Sequence, residues 1–147
     1  MKKLIIINGP NLNLLGKREP NIYGSLSFTE FLEEVKEKYP QVHIDYFQSN
    51  IEGEIVDRIQ AAALSSDYIF LNAGAYTHTS LAIADAVKAI DTPTLELHIS
   101  NVMDREEIRH VSLISKNCIG VISGFGLSVY RMASHYVLST REVINNY

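Results

Sequence analysis

Tyr68-Ile69-Phe70-Leu71-Asn72, running on into Ala73-Gly74-Ala75-Tyr76-Thr77-His78-Thr79-Ser80, is a short unbroken apolar run that stops at an amide and a turn of small and polar residues. A run of this length bounded by a turn reads as a strand buried on both faces. The pattern recurs twice: Leu4 to Ile7 meets Asn8-Gly9-Pro10-Asn11, and Leu95 to Leu97 meets His98-Ile99-Ser100-Asn101. If all three runs are parallel strands, their polar ends lie along one edge of one sheet, where open α/β sheets bind ligands.

The rest of the chain alternates in the same way. Strands are expected at about Lys3 to Ile7, around Val42, Ile44 and Tyr46, and at Tyr68 to Asn72, Thr94 to His98 and Ile119 to Ser123. The alternation in the second of these, polar against apolar, places it near a sheet edge. Between them, Ser27-Phe28-Thr29-Glu30 reads as a capping box that starts a helix ended by Pro40. Further helices are expected over Ile51 to Ala63, Thr79 to Ile90, and from Gly126 to about Ile144, with a short polar helix over Asp104 to Arg109. Strand-helix alternation with short connections predicts a parallel sheet covered by helices on both faces. The expected architecture is α/β, a flavodoxin-like doubly wound five-stranded parallel sheet of order 2-1-3-4-5, as one domain over residues 1–147. The switch point then brings Asn8 to Asn11 beside Asn72 to His78, with His98 one strand further on.

Bulk properties exclude several classes. A net charge of −4 argues against a nucleic-acid partner, which calls for a basic face. The single cysteine, Cys118, allows no intrachain disulfide and fits a reducing compartment; its apolar neighbours suggest a buried structural thiol. Met1-Lys2-Lys3 before Leu4 to Ile7 is too short for a signal peptide, and no run approaches the ~20 apolar residues of a membrane span. A cytoplasmic protein is expected.

Asn11, Asn72, His78, His98 and Ser100 are the candidates for one cavity, although each could instead cap a strand end or tighten a turn. Glu96 and His98 share a strand face, so the carboxylate can orient the imidazole as in a general acid/base, or simply satisfy a buried histidine. Arg18 and Tyr23 fall in a long segment, Asn8 to Leu26, of the kind that often forms a lid. A guanidinium beside a phenol favours the phenolate and can make a base of it; an exposed turn tyrosine and a surface arginine are the bland alternative. Arg105 and Arg109, four apart, can point to the same place. His78, Asp85 and His98 lack recognised metal-ligand spacing, Gly9 to Gly16 is neither a dinucleotide fingerprint nor a P-loop, and a phosphoacceptor domain would carry aspartates where Asn and His stand.

In sequence order, Asn8-Gly9-Pro10-Asn11-Leu12-Asn13-Leu14-Leu15-Gly16, Arg18-Glu19-Pro20 with Tyr23-Gly24, Asn72 to Ser80, Glu96 to Asn101, Arg105-Glu106-Glu107 and Arg109-His110 closely resemble type II 3-dehydroquinate dehydratase. The resemblance runs on through Gly120-Val121-Ile122 and Gly124-Phe125-Gly126 to Tyr130-Arg131. It implies dehydration of 3-dehydroquinate to 3-dehydroshikimate through an enolate, with no metal or organic cofactor. By resemblance Tyr23 is the base, Arg18 holds it as phenolate, His98 protonates the departing hydroxyl, Glu96 orients His98, and Asn11 stabilises the enolate. Ile99 and Ser100 would take the carboxylate; Asn72, His78 and Arg109 would bind the ring hydroxyls and carboxylate region. The resemblance also implies trimers assembling into a homododecamer, with Asp85 entering the site of a neighbouring subunit. Two readings from other classes stand beside it: a flavodoxin-like binding module, and an oligomeric scaffold without catalysis.

Overall fold

Each central strand sends alternate residues into two separate cores. On one face Leu4 and Ile6, Tyr68 and Phe70, and Leu95 and Leu97 pack together; on the other lie Ile5 and Ile7 with Ile69 and Leu71. Such double burial explains the near-continuous apolar runs in the sequence. The computed structural model describes residues 1–17 and 26–140. Within them, β1 (Lys2–Asn8), β2 (Val42–Gln48), β3 (Tyr68–Asn72), β4 (Thr94–His98) and β5 (Gly120–Ser123) form one sheet of order β2-β1-β3-β4-β5. All pairings are parallel, as expected.

Among the described residues, four α-helices cover the sheet. On one face, α1 (Phe28–Lys38) contributes Phe28, Phe31, Leu32 and Val35, and α4 (Ser128–Ser139) contributes Val129, Tyr130, Ala133 and Val137. On the other face, α2 (Glu52–Ala62) and α3 (Leu81–Lys88) bury Ile55, Ile59, Ile83 and Val87. Each side chain of this size taken fully out of water contributes about 1.5–3 kcal/mol before entropy is set against it. The capping box is present: Ser27 accepts from the Glu30 N–H, and the Glu30 side chain reaches back to the Ser27 N–H. β2 lies at one edge, with Val42 and Ile44 buried and His43 and Asp45 exposed.

Two expected elements differ. The helix predicted from Thr79 begins instead at Leu81, because Ser80 takes the N-cap and accepts from the Ile83 N–H; the preceding Gly74–His78 winds as a 3₁₀ turn. The short polar helix over Asp104 to Arg109 is two 3₁₀ turns, Val102–Asp104 and Glu107–His110, broken where Arg105 is extended at φ −116°. Asn101 caps the first turn through the Met103 N–H, and segments this short lack the length to propagate an α-helix. The predicted end of the last helix near Ile144 lies outside the described residues.

The carboxyl ends of β1 and β3 meet closely. The Gly9 N–H donates to the Asn72 carbonyl at 2.7 Å, and a Cβ at Gly9 would sit 2.5 Å from the Ala73 carbonyl oxygen. The obstructing atoms are backbone, so neither partner can yield by a rotamer change. Gly9→Ala should therefore destabilise the protein by about 1–3 kcal/mol. The check is urea unfolding, where the midpoint should fall with little change in slope; an unmoved midpoint would show that the two strand ends can part freely.

Candidate active site

The polar ends of β1, β3 and β4 and the turns that follow them enclose a cavity of about 180 Å³. It is lined by Asn11, Asn72, His78, His98, Ile99, Ser100, Arg105 and Arg109 among others, so eight residues singled out in the sequence come together. Its size is below the roughly 300–1,000 Å³ of drug-sized sites, which suits a compact ligand. Leu12, Leu14, Leu15 and Val102 supply an apolar wall. Two guanidiniums, Arg105 and Arg109, face the cavity, and no carboxylate lines it among the described residues. Such a lining favours an anion with several hydroxyl or carbonyl groups. Arg105 reaches it from the extended break between the two 3₁₀ turns and Arg109 from the second turn, rather than both from one helical face.

His98 and Glu96 are 5 % and 1 % exposed. Their shared face on β4 puts His98 Nε2 3.2 Å from Glu96 Oε2. A carboxylate at this distance demands a proton on Nε2, which leaves Nδ1 as the nitrogen not engaged by Glu96. Glu96 also accepts from the hydroxyls of Ser112, on Oε1, and Ser115, on Oε2 at 2.7 Å. Burial by itself pushes this carboxyl up. Contact with His98 and the two serine hydroxyls outweighs burial, and the group ends below its ordinary value of 4.5. Ser112 and Ser115 were not visible as site residues in the sequence. They stand 16 and 19 positions beyond Glu96, in a segment without periodicity, and only the fold brings them under β4.

His78 is held by its Nδ1–H, which donates to the Val111 carbonyl at 2.9 Å and leaves Nε2 unengaged. Its ring stacks beside that of His98, centroids 6.3 Å apart. Asn11 adopts the left-handed region at φ 70°, and its N–H donates to Asn50 Oδ1 at 3.0 Å. Gln48 donates to both Asn50 Oδ1 and the Gly9 carbonyl, so the end of β2 ties down the turn that carries Asn11. The Ile99 and Ser100 amides make no backbone hydrogen bond among the described residues, and Arg105 Nη1 lies 3.5 Å from Ser100 Oγ. Arg109 is oriented through its Nε, which donates to Glu106 at 2.6 Å.

A chain of hydrogen bonds lies beneath Asn72. Asn72 Oδ1 accepts from the Gly74 N–H at 3.2 Å, Asn72 Nδ2 donates to the Tyr130 hydroxyl at 3.2 Å, and that hydroxyl donates to Asn8 Oδ1 at 2.7 Å. Asn8, Asn72 and Tyr130 are all buried.

Of the other residues singled out in the sequence, Asp85, which the resemblance assigns to the site of a neighbouring subunit, is exposed on α3 and does not line this cavity. Arg18 and Tyr23 lie outside the described residues. Cys118 packs against the α2–α3 core, where burial first, and the nearby Glu96 charge second, push its thiol up to about 12. It is a half-buried thiol held protonated, where its neighbours suggested a fully buried one.

Because the folded value of Glu96 lies below its ordinary one, its carboxylate contributes stability that is complete above pH 4.5 and is lost as pH falls through the folded value. Glu96→Gln should thus be less stable than wild type near neutrality. The gap in urea midpoint should narrow as the pH is taken below 4.5. A gap that widened in acid would mean that the folded protein holds Glu96 protonated.

The family profile described as "Dehydroquinase class II" matches residues 2–138. A 3-dehydroquinate dehydratase of Caldicellulosiruptor bescii is 53% identical over 136 residues, covering 90% of this chain and 94% of the relative. One from Campylobacter jejuni subsp. jejuni (strain 81-176) is 49% identical over 146 residues, covering 98% of this chain and 92% of the relative. The crystal structure of the type II dehydroquinase from Butyrivibrio crossotus is similar at a TM-score of 0.89 and 44% identity, over 94% of this chain and 98% of that one. With the profile spanning nearly the whole described sheet and its helices, the chain belongs to the class II dehydroquinase family.

Proposed function

We propose that this protein, as one domain over residues 1–147, dehydrates 3-dehydroquinate to 3-dehydroshikimate by anti elimination through an enolate, in the shikimate pathway toward chorismate and the aromatic amino acids. The observation that carries the reading is His98, backed by the buried Glu96, on the wall of a small cavity that two arginines and no carboxylate line among the described residues. Several relatives at about half identity bear the name 3-dehydroquinate dehydratase.

The reaction divides among this chain's residues as follows. Tyr23, as a phenolate beside Arg18, removes the proton next to the ketone, and the electron pair moves onto the ketone oxygen. Asn11 stabilises that developing charge through an ordered water, the kind of interaction that usually carries the largest share of a rate enhancement. The pair then returns to form the carbon–carbon double bond, the C–O bond to the leaving hydroxyl breaks, and His98 gives that oxygen its proton so that it departs as water. Glu96 orients His98 throughout. The Ile99 and Ser100 amides, with the Ser100 hydroxyl, take the substrate carboxylate; Asn72, His78 and Arg109 hold the ring hydroxyls and carboxylate region. No step calls for a metal, an organic cofactor or a lysine Schiff base. Asp85, turned outward on α3, reaches the site of a neighbouring subunit in trimers that assemble into a homododecamer. No described helix is long and apolar enough to cross a membrane, and with the lone Cys118 this supports a cytoplasmic setting.

The test follows the ultraviolet absorbance of the conjugated enone after 3-dehydroquinate is added. It should rise, and pretreatment with substrate and borohydride should leave the protein active; a flat trace from folded protein would overturn the reading. Tyr23→Phe should abolish turnover while binding of a substrate analogue persists. His98→Ala should lose roughly 10²–10⁴-fold in kcat, the usual weight of a general acid. A near-normal kcat in either variant would remove that residue from the mechanism.

A further inference from the structure

Tyr130 is wholly buried in α4, between Asn72 and Asn8 in a hydrogen-bonded chain that leads away from the cavity. Resting on the dehydratase reading for its assay, we infer that Tyr130 is a positioning residue: its hydroxyl fixes the Asn72 side-chain amide so that the cavity is offered an N–H donor. The orientation of Asn72 is set at Gly74. The Gly74 N–H can only donate, so the Asn72 atom that faces it at 3.2 Å must be Oδ1. Asn72 Nδ2 therefore points to Tyr130, whose hydroxyl accepts at 3.2 Å and passes its own proton to Asn8 Oδ1 at 2.7 Å. One of the two Nδ2 hydrogens is consumed in this way, and the other remains for the ligand. Asn72 thus meets substrate only as a donor to an acceptor oxygen.

The chain depends on Tyr130 being both fixed in place and protonated. Phe28 packs edge-on against its ring at a centroid distance of 4.9 Å, and Phe31 at 6.0 Å, so the ring cannot follow a moving amide. Burial pushes the phenol well above its ordinary value, so the proton that Asn8 receives is retained at any working pH. Gly74, at φ +59° against Pro10, anchors the other end. A flipped Asn72 amide would set Nδ2 against the Gly74 N–H, two donors face to face.

The experiment is a double-mutant cycle on steady-state dehydration of 3-dehydroquinate by the full chain: wild type, Tyr130→Phe, Asn72→Ala and the pair. Asn72 is proposed to hold a group away from the reacting atoms, so its misorientation should be felt in binding. Tyr130→Phe should raise KM roughly tenfold with kcat within about twofold of wild type. In the Asn72→Ala background the same change should add less than about twofold. Fold-losses that multiply between the two sites, an unchanged KM, or a loss confined to kcat would each overturn the inference. If Tyr130→Phe fails to fold, Asn8→Ala serves instead. It leaves the ring in place and frees the hydroxyl proton to turn on Asn72, and the same KM rise, absent in the Asn72→Ala background, is expected; independence of Asn72 would overturn the inference. Inactive but folded wild-type protein would strike the dehydratase reading itself, which separates the two failures.

Discussion

The register between β1 and β3 is the constraint on which the rest of the structure depends. Leu4 stands opposite Tyr68, and the pairing runs without a slip to Asn8 opposite Asn72. Because side chains alternate across a sheet, this pairing decides more than the core. It sends Asn8 and Asn72 to the α4 face, where Tyr130 joins them, while Ile7 and Leu71 remain in the α2–α3 core. A slip of one residue would exchange the two sets and bury the amides among isoleucines. Gly9 locks the register at its last step, since no other residue lets the chain pass the Ala73 carbonyl so closely.

The same alternation on β4 separates two kinds of polar chemistry. Leu95 and Leu97 face α1 and α4, so Glu96 and His98 emerge on the opposite side, with Ser112 and Ser115 beneath them. The amide chain through Tyr130 and the carboxylate–imidazole pair thus occupy different faces of one sheet and meet only at its edge. The first is satisfied by Tyr130 of α4 and the second by Ser112 and Ser115 of the segment before β5, so neither competes for the other's partners. The buried carboxylate also explains the resting state of Cys118, whose thiol is held protonated by burial and by a nearby negative charge.

Much of this was legible in the sequence because it rests on local rules. Unbroken apolar runs ending in Asn, His and Ser set the strand order and the edge at which Asn11, Asn72, His78, His98 and Ser100 gather. The i, i+2 spacing of Glu96 and His98 was enough to pair them. What escaped notice depends on contacts distant in the chain. Tyr130 enters the sequence reading only through the C-terminal resemblance, because nothing local distinguishes a buried phenol with two partners from a core aromatic. Ser112 and Ser115 lie among residues with no periodic pattern. Arg105 and Arg109 are expected on one helical face; instead Arg105 reaches the cavity from an extended link and Arg109 from the 3₁₀ turn that follows it.

In the proposed elimination the acid must keep its proton while charge builds on the enolate oxygen, and release it only to the leaving hydroxyl. A buried carboxylate beside the imidazole endangers this, since burial alone raises a carboxyl's affinity for protons and would draw the proton from His98 onto Glu96. The contact with His98 and the hydroxyls of Ser112 and Ser115 together offset this. They hold Glu96 a weaker base than an ordinary carboxylate despite its burial. Glu96 can then orient His98 as a carboxylate, while the two hydroxyls satisfy the lone pairs that the imidazole leaves open.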